Sequence, residues 1–214
     1  MPVTKTFIIG TFSVPSIWIA LITAFVIAYS AVRARFGKQI ADLFGDAIFY
    51  LLIVWKLSVI LTDFSTVIKS PLSIIYFDGG LVGFYFGLVA AIGRIFIEMK
   101  RKKFTITNIA ALFTGVVIVQ AVYQIMMVFL NEGGFVNQLV TVAMFTTFLL
   151  FLWVNIEKSV VWPFQLVLMF VSIHLFVAAF QVGGLTGAPF TVTVGLGIYF
   201  ACILFSWRET EGQV

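Results

Sequence analysis

Apolar stretches of about 20 residues recur along the chain, separated by short polar segments. A bilayer core of about 30 Å needs about 20 apolar helical residues to cross it. Because lipid cannot satisfy exposed backbone groups, each such stretch is predicted to be an α-helix. The pattern predicts seven of them, at 12–32, 41–61, 79–99, 107–130, 136–155, 161–180 and 191–207. The predicted fold class is therefore an all-α polytopic membrane protein, with a single transmembrane domain over residues 1–214.

Small residues recur four positions apart in the third stretch, as Gly79, Gly83, Gly87 and Ala91. On a helix these positions form one face nearly without side chains, along which a neighbouring helix can approach closely. We expect this helix to lie at the centre of the protein. The carboxylate of Asp78, just before the helix, can cap it or help to form a polar pocket with the Gly79–Gly80 backbone.

Composition and charge agree with a membrane protein and predict its orientation. The chain is 62% hydrophobic and 10% charged, which is far from the composition of soluble domains. Lysine and arginine concentrate in one set of loops, at Arg33, Arg35, Lys38, Lys100, Arg101, Lys102, Lys103, Lys158 and Arg208, whereas the opposite loops hold Lys5 and Lys69. The positive-inside rule then predicts an external N-terminus and a cytoplasmic C-terminus. Because the basic residues follow the topology, no nucleic-acid partner is expected.

Cofactor chemistry finds no support in the sequence. One cysteine, Cys202, and one histidine, His174, cannot form the clusters that bind metals, and no phosphate-binding glycine loop or serine elbow occurs. We therefore expect no metal and no cofactor.

Polar residues within the predicted spans are the candidates for function, because they are costly in lipid. Lys56 either extends to the outer head groups or contacts an anionic lipid phosphate. Gln120, Tyr123 and Gln124 share one face of the fourth span, and amides there usually bond across helices. His174 is either a neutral core histidine or a catalytic base.

Several segments resemble prolipoprotein diacylglyceryl transferases, seven-helix bacterial enzymes that transfer diacylglycerol from phosphatidylglycerol to a cysteine of lipoprotein precursors. The helix number and orientation are similar to theirs. Asp42–Lys56 looks like the second helix of that family, and Pro71–Gly80 looks like the entry to its third helix. Gln120-Ala121 and Glu132 match the spacing of its Gln-Ala pair and signature glutamate.

The chain departs from that family at the signature positions. Gln124 stands where the family has arginine, Met126 and Met127 replace its glycine and asparagine, and Phe84 stands at its histidine position. The resemblance implies a divergent member, in the bacterial plasma membrane, that binds phosphatidylglycerol near the outer leaflet. No detectable transfer activity is expected.

The site implied by this resemblance and by the polar residues has two parts. Asp78 and His174 are the candidate catalytic groups if the protein is an enzyme. The candidate lipid-binding residues are Lys56, Gly79, Gly80, Gln120, Tyr123, Gln124 and Glu132. A phospholipid is the expected ligand, and a lipoprotein or another membrane protein is the alternative partner. The competing functions are a non-catalytic scaffold or subunit for a membrane protein and a small-solute transporter.

Overall fold

The computed structural model of the chain describes residues 5–10, 12–70, 78–102, 104–158, 162–181 and 183–211. Two strands come first within these ranges, β1 (Thr6–Ile9) and β2 (Phe12–Pro15). The helices are α1 (Ser16–Phe36), α2 (Lys38–Leu57), α3 (Val59–Thr62), α4 (Phe64–Lys69), α5 (Gly80–Arg101), α6 (Ile106–Leu130), α7 (Phe135–Asn155), α8 (Trp162–Ala179) and α9 (Ala188–Glu211). A 3-10 turn at Gly184–Thr186 precedes α9.

The helical, multi-pass class predicted from the apolar pattern is confirmed. Six helical segments of the described chain are long and apolar enough to cross a membrane: Ser16–Phe36, Lys38–Thr62, Gly80–Arg101, Ile106–Leu130, Phe135–Asn155 and Ala188–Ser206. The remaining predicted span forms α8, whose apolar part, Pro163–Ala179, is shorter. Seven crossings therefore stay a prediction.

The chain divides into two compact units, which we call the bundle unit (residues 1–36 and 105–214) and the pair unit (residues 37–104). The single domain expected over residues 1–214 stays a prediction. In the bundle unit, α6 contacts α1, α7 and α9, and α8 packs between α7 and α9. Two-thirds of the apolar stretch of α6 (67%) is buried, because its apolar residues lie on every side of the helix.

The seam between α1 and α6 depends on small residues that the sequence analysis did not single out. Ser16, Ala20, Ala24 and Ala28 lie four positions apart on α1, and all four are completely buried. Small side chains at this spacing allow two helix backbones to approach closely in lipid. Deeper in the bundle unit, Phe113 of α6 packs edge to face against the rings of Phe170 in α8 and Phe200 in α9.

The bundle unit begins with a hairpin of β1 and β2, and β2 lies where the sequence predicted the first turn of a helix. The two strands pair in antiparallel register, with Phe7 opposite Val14. Asn131, at the end of α6, holds the base of this hairpin. Its Oδ1 accepts hydrogen bonds from the backbone N–H of Lys5 (3.2 Å) and the hydroxyl of Ser16 (2.9 Å). The prediction of helix from residue 12 is therefore wrong for Phe12–Pro15.

The pair unit is built on α2 and α5, whose seam confirms the close approach predicted from the glycine spacing. A methyl group on Gly83 would lie 3.2 Å from the carbonyl oxygen of Trp55 and would overlap Ser58 Oγ. A methyl group on Gly87 would overlap the carbonyl oxygen of Leu51 and lie 3.3 Å from the backbone nitrogen of Trp55. The backbones of α2 and α5 can touch here because Gly83 and Gly87 lack side chains.

The expectation that α5 is the central helix is wrong. Only 22% of its apolar stretch is buried, against 67% for α6. Its small-residue stripe provides one narrow contact with α2, and exposed apolar side chains such as Leu81, Val82 and Val89 cover much of the rest. A small-residue stripe thus predicted a close contact but not the number of neighbours.

Candidate functional site

A chain of hydrogen-bonded polar side chains connects three helices of the bundle unit. Gln181, just after α8, donates from Nε2 to Oε1 of Gln124 in α6 at 2.9 Å. Nε2 of Gln124 lies 3.2 Å from Nε2 of His174 in α8. Nδ1 of His174 lies 2.6 Å from Oγ1 of Thr193 in α9. We call these four residues the polar chain.

One tautomer of His174 fits the amide orientations in the structure. Because Oε1 of Gln124 accepts from Gln181, the Nε2 amide of Gln124 is the group that faces the imidazole. An amide nitrogen only donates, so Nε2 of His174 accepts and its Nδ1 carries the hydrogen. That Nδ1–H donates to Thr193 Oγ1. The imidazole is therefore neutral in this arrangement.

The inner members of the polar chain are closed off from solvent. His174 and Thr193 are fully buried and Gln124 is 1% exposed. The rings of Phe145 and Phe190 approach the imidazole edge to face, with centroids at 5.2 and 5.7 Å. Both ring nitrogens of His174 are hydrogen-bonded, which is the arrangement of a core histidine. Neither ring nitrogen of His174 is free to act as a base, so its catalytic role stays a prediction.

Gln181 differs from the other members because it is half-buried and has unused hydrogen-bonding groups. One N–H of its amide goes to Gln124. Among the residues that the structure describes, no group hydrogen-bonds to its Oε1 or its second amide hydrogen. The polar chain therefore begins at a surface where a ligand can bond.

From the lengths and register of α6 and α8 we infer a recess beside Gln181. Phe113 contacts Phe170, and Gln124 bonds to Gln181, so α6 and α8 keep one register along both contacts. In that register Leu130, the last residue of α6, is level with position 187, whereas α8 ends at Ala179. At 1.5 Å per residue α8 therefore ends about 12 Å below the end of α6.

The connection from α8 to α9 forms the floor of this recess, which we call the notch. Its described residues are Phe180, Gln181, Gly183, Gly184, Leu185, Thr186 and Gly187. Gln120 Nε2 of α6 donates to the carbonyl oxygen of Pro189 at 3.4 Å, which keeps the far end of the connection low as well. Gly183, Leu185 and Thr186 are exposed, so the floor is open.

The sequence-predicted residues of the bundle unit fall into two places. Gln120 and Gln124 lie beside the notch, and His174 lies beneath them. Tyr123 is buried in α6 (8% exposed). Glu132 lies beyond the end of α6, is mostly exposed, and pairs with Lys5 at 3.2 Å. The structure therefore does not group Glu132 with the polar chain.

In the pair unit, the predicted site residues Asp78, Gly79 and Gly80 are joined to one another or to Trp55 by hydrogen bonds that involve backbone groups. Asp78 Oδ1 accepts from the N–H of Gly80 at 2.8 Å, a bond within the turn before α5. The N-cap of α5 is Gly79, which has no side-chain cap hydrogen bond, so the capping role expected of Asp78 stays a prediction. The indole N–H of Trp55 donates to the carbonyl oxygen of Gly80 (2.9 Å), and the N–H of Gly79 donates to the carbonyl oxygen of Trp55 (3.2 Å). Of the motif at residues 71–80, only Asp78, Gly79 and Gly80 fall in the described ranges.

These bonds change the interpretation of Gly79 and Gly80. Their backbone groups connect α5 to α2, and Gly79 is buried against Ser58. Gly80 has φ of 60°, a conformation that glycine adopts without strain. Lys56, one residue after Trp55, is half-buried near the end of α2. The binding roles of these residues stay predictions, while their structural roles are visible.

The sequence analysis did not identify two members of the polar chain, Gln181 and Thr193. Gln181 lies in a predicted loop and Thr193 in a predicted apolar span, and their bonds to Gln124 and His174 join residues 57 and 19 positions apart, which no helical spacing rule connects. Within the described ranges, no group of three or more His, Cys, Asp or Glu side chains could hold a metal ion.

Comparison with known proteins leaves the chain without an assigned family. The chain matches no family model, no curated protein and no solved structure. The resemblance to diacylglyceryl transferases therefore stays a prediction from its motifs.

Proposed function

We propose that this protein is a multi-pass protein of the bacterial plasma membrane that binds the head group of a phospholipid in the notch. The observation that carries this proposal is the recessed, open floor beside a half-buried amide with unused hydrogen-bonding groups. The proposed ligand is phosphatidylglycerol, the lipid that the motif resemblance implies.

The lengths of the helices support a position of the notch at head-group depth. The 18 residues of α8 span about 27 Å, close to the 30 Å thickness of a bilayer core. The 25 residues of α6 span about 37 Å, so α6 extends beyond that core. In this proposal α8 is the seventh crossing, and the end of α6 forms a wall beside a head group that rests on the notch.

The orientation is part of the proposal. Arg33, Arg35 and Lys158 lie at the end of the bundle unit opposite the notch, and the positive-inside rule places that end in the cytoplasm. The notch then faces the outer leaflet. Single cysteines at Thr186 and Lys102, in a Cys202→Ala background, should react with impermeant thiol reagents from opposite sides. Labelling of both from one side would contradict this topology.

Catalysis is not part of the proposal. Both ring nitrogens of His174 are hydrogen-bonded, and Asp78 bonds to the turn that precedes α5. A general base must reach the proton that it removes, and neither group is presented in this way. We therefore expect the wild-type protein to show no transfer of diacylglycerol to a lipoprotein-derived peptide.

Lipid retention is the direct test. The protein is purified in a mild detergent, and bound phosphatidylglycerol is quantified by mass spectrometry. Gln181→Leu should lower the retained lipid severalfold, because the notch loses its exposed amide. Gln138→Leu is the matched control, since Gln138 bonds to backbone carbonyls of Val128 and Asn131 at the same end of the bundle unit.

Lys56→Ala distinguishes the notch from the site expected at Lys56. If Lys56 holds the lipid phosphate, its removal should lower retention while Gln181→Leu leaves it unchanged. That result would move the lipid site to the pair unit. If wild type, Lys56→Ala and Gln181→Leu retain equal amounts of phosphatidylglycerol, lipid binding at either place is contradicted. That result would favour the partner-scaffold function.

A further inference from the structure

The floor of the notch carries no charged side chain. Its described residues, 180–181 and 183–187, include neither an acid nor a base. At this end of the bundle unit the described charged side chains are Lys5 and Glu132, which pair with each other at 3.2 Å. A charged group that leaves water for the floor therefore finds no unpaired counter-charge among the described residues of the bundle unit, and this makes its burial costly.

The start of α9, which follows the floor, offers little to an anion. Helix starts attract anions through backbone N–H groups that have no partner. Pro189 has no N–H, and the N–H groups of Phe190 and Thr191 both donate to the carbonyl oxygen of Gly187, at 3.1 Å each. Three of the first four residues of α9 therefore present no N–H to a phosphate.

Gln181 offers hydrogen bonds of both kinds, whichever way its amide is turned. A side-chain amide has two N–H groups and an oxygen with two lone pairs, and the bond to Gln124 uses one of these four sites. At least one N–H and one lone pair therefore remain, and no other group among the described residues bonds to them. The half-buried amide can donate to a ligand and accept from it at the same time.

Thr186 adds a second acceptor to the floor. Its hydroxyl donates to the carbonyl oxygen of Gly183 at 3.2 Å, so the lone pairs of Oγ1 stay available on an exposed side chain. The N–H of Gly184 donates to the carbonyl oxygen of Gln181 at 2.9 Å, which fixes the turn between the two side chains. Neutral acceptors beside one donor suit a ligand with O–H groups, because a hydroxyl both donates and accepts, whereas a phosphodiester accepts only.

We propose that the notch selects lipid head groups by their uncharged hydroxyl groups, and that Gln181 determines this selection. The inference rests on the proposed lipid site and names the chemical class of its ligand. Two sources share this chemistry, the glycerol end of phosphatidylglycerol and the sugar of a glycolipid. Their neighbouring hydroxyls donate to the amide oxygen of Gln181 or to Thr186 Oγ1, and accept from the amide N–H. The phosphate of phosphatidylglycerol, which finds no counter-charge on the floor, stays hydrated.

The test compares three lipids with the same acyl chains. Phosphatidylglycerol has a negative charge and hydroxyls, phosphatidylmethanol has the same charge without hydroxyls, and monogalactosyldiacylglycerol has hydroxyls without charge. The protein is washed free of native lipid in maltoside detergent, incubated with an equimolar mixture of the three, and repurified, and its bound lipids are quantified by mass spectrometry. Both hydroxylated lipids should be enriched about two- to tenfold over phosphatidylmethanol, the effect of one neutral hydrogen bond. Gln181→Leu should remove the enrichment, and Gln138→Leu should keep it.

The outcomes separate the selection from the site on which it rests. If both charged lipids are retained in a Gln181-dependent manner and the galactolipid is not, the phosphate is the group recognised; the inference is refuted and the proposed function stands. If Gln181→Leu leaves the retention of all three lipids unchanged, both fail. If Gln181→Leu does not accumulate, the wild-type protein still decides, because equal retention of phosphatidylglycerol and phosphatidylmethanol refutes the inference. When both hydroxylated lipids are enriched, the inference is supported, and their ratio identifies glycerol or sugar as the preferred source.

Discussion

At the end of the seam between α2 and α5 in the pair unit, polar side chains bond to nearby backbone atoms, whereas the side chains of the polar chain in the bundle unit bond to one another across helices. Trp55, Ser58 and Asp78 each bond to a backbone group at the end of the seam between α2 and α5. Gln124 and His174 instead bond side chain to side chain, and the chain of bonds ends at half-buried Gln181. The first arrangement positions a turn, and the second connects a surface to a core.

The two arrangements differ in the kind of group that each side chain bonds. A side chain that bonds to the backbone holds one geometry, because the backbone group cannot reverse its polarity. Amides, hydroxyls and imidazoles can exchange the roles of donor and acceptor. The bonds at the end of the seam between α2 and α5 therefore have a fixed direction, whereas the polar chain consists of groups that can exchange the roles of donor and acceptor.

The largest effect should come from the glycine seam of the pair unit. In Gly87→Ala the new methyl group would overlap the carbonyl of Leu51, a backbone atom that cannot turn aside. Overpacking of this kind costs about 1–3 kcal/mol or more. Thermal unfolding in detergent, monitored on a fluorescent fusion, should show a clear loss of stability or of expression.

Gly93→Ala is the matched control on the same helix. A methyl group there meets nothing within 4 Å, and alanine is a better helix former than glycine. The two variants should therefore change stability in opposite directions. Gly197 is a poor control, because a methyl group at that position would lie 2.5 Å from Val171 Cγ2. Equal tolerance at Gly87 and Gly93 would contradict the close backbone contact.

An intermediate effect is expected in the polar chain. Gln124→Leu leaves a buried ring nitrogen of His174 without its partner, at a cost of about 1–3 kcal/mol. The double variant Gln124→Leu/His174→Leu should lose less stability than the two single variants together, since both partners are then apolar. Additive losses in this double-mutant cycle would show that the two side chains do not interact.

Ser58→Ala tests the difference between the two units in the cost of losing one hydrogen bond. It removes the donor to the carbonyl oxygen of Trp55, but that oxygen still accepts from Gly79. Its cost should therefore stay near 0.5–1.5 kcal/mol, below that of Gln124→Leu. The same unfolding assay compares the two directly.

The smallest effect should come from the exposed end of α6. Lys5 and Glu132 form an ion pair in which the Glu132 side chain is 82% exposed. Exposed pairs contribute about 0–1 kcal/mol, so Glu132→Gln should barely change the unfolding temperature. Asn131→Ala should cost more, because buried Asn131 holds both Lys5 and Ser16. Faster hydrogen exchange in the N-terminal hairpin of Asn131→Ala alone would confirm this.

Two kinds of feature could be predicted from the sequence: those that follow from composition, and contacts made by residues at regular helical spacing. Spans appear as apolar runs, and the close contact of Gly83 and Gly87 follows from their spacing on one helix. The bonds of His174 to Gln124 and Thr193 join residues 50 and 19 positions apart, so they depend on how helices pack. The N-terminal hairpin was missed because Phe12–Pro15 continues an apolar run, and its strand pairing is held by Asn131, more than a hundred positions away.

The chain connectivity also has a consequence for biosynthesis. The alanine face of α1 packs on α6, yet residues 37–104 are made between these helices. At about 5–20 residues per second, the ribosome needs several seconds to make that segment. Throughout this interval α1 stays in the membrane with its seam uncovered, while α2 and α5 can already close on each other. In this order α1 meets its main partner only after both long helices of the pair unit have been made.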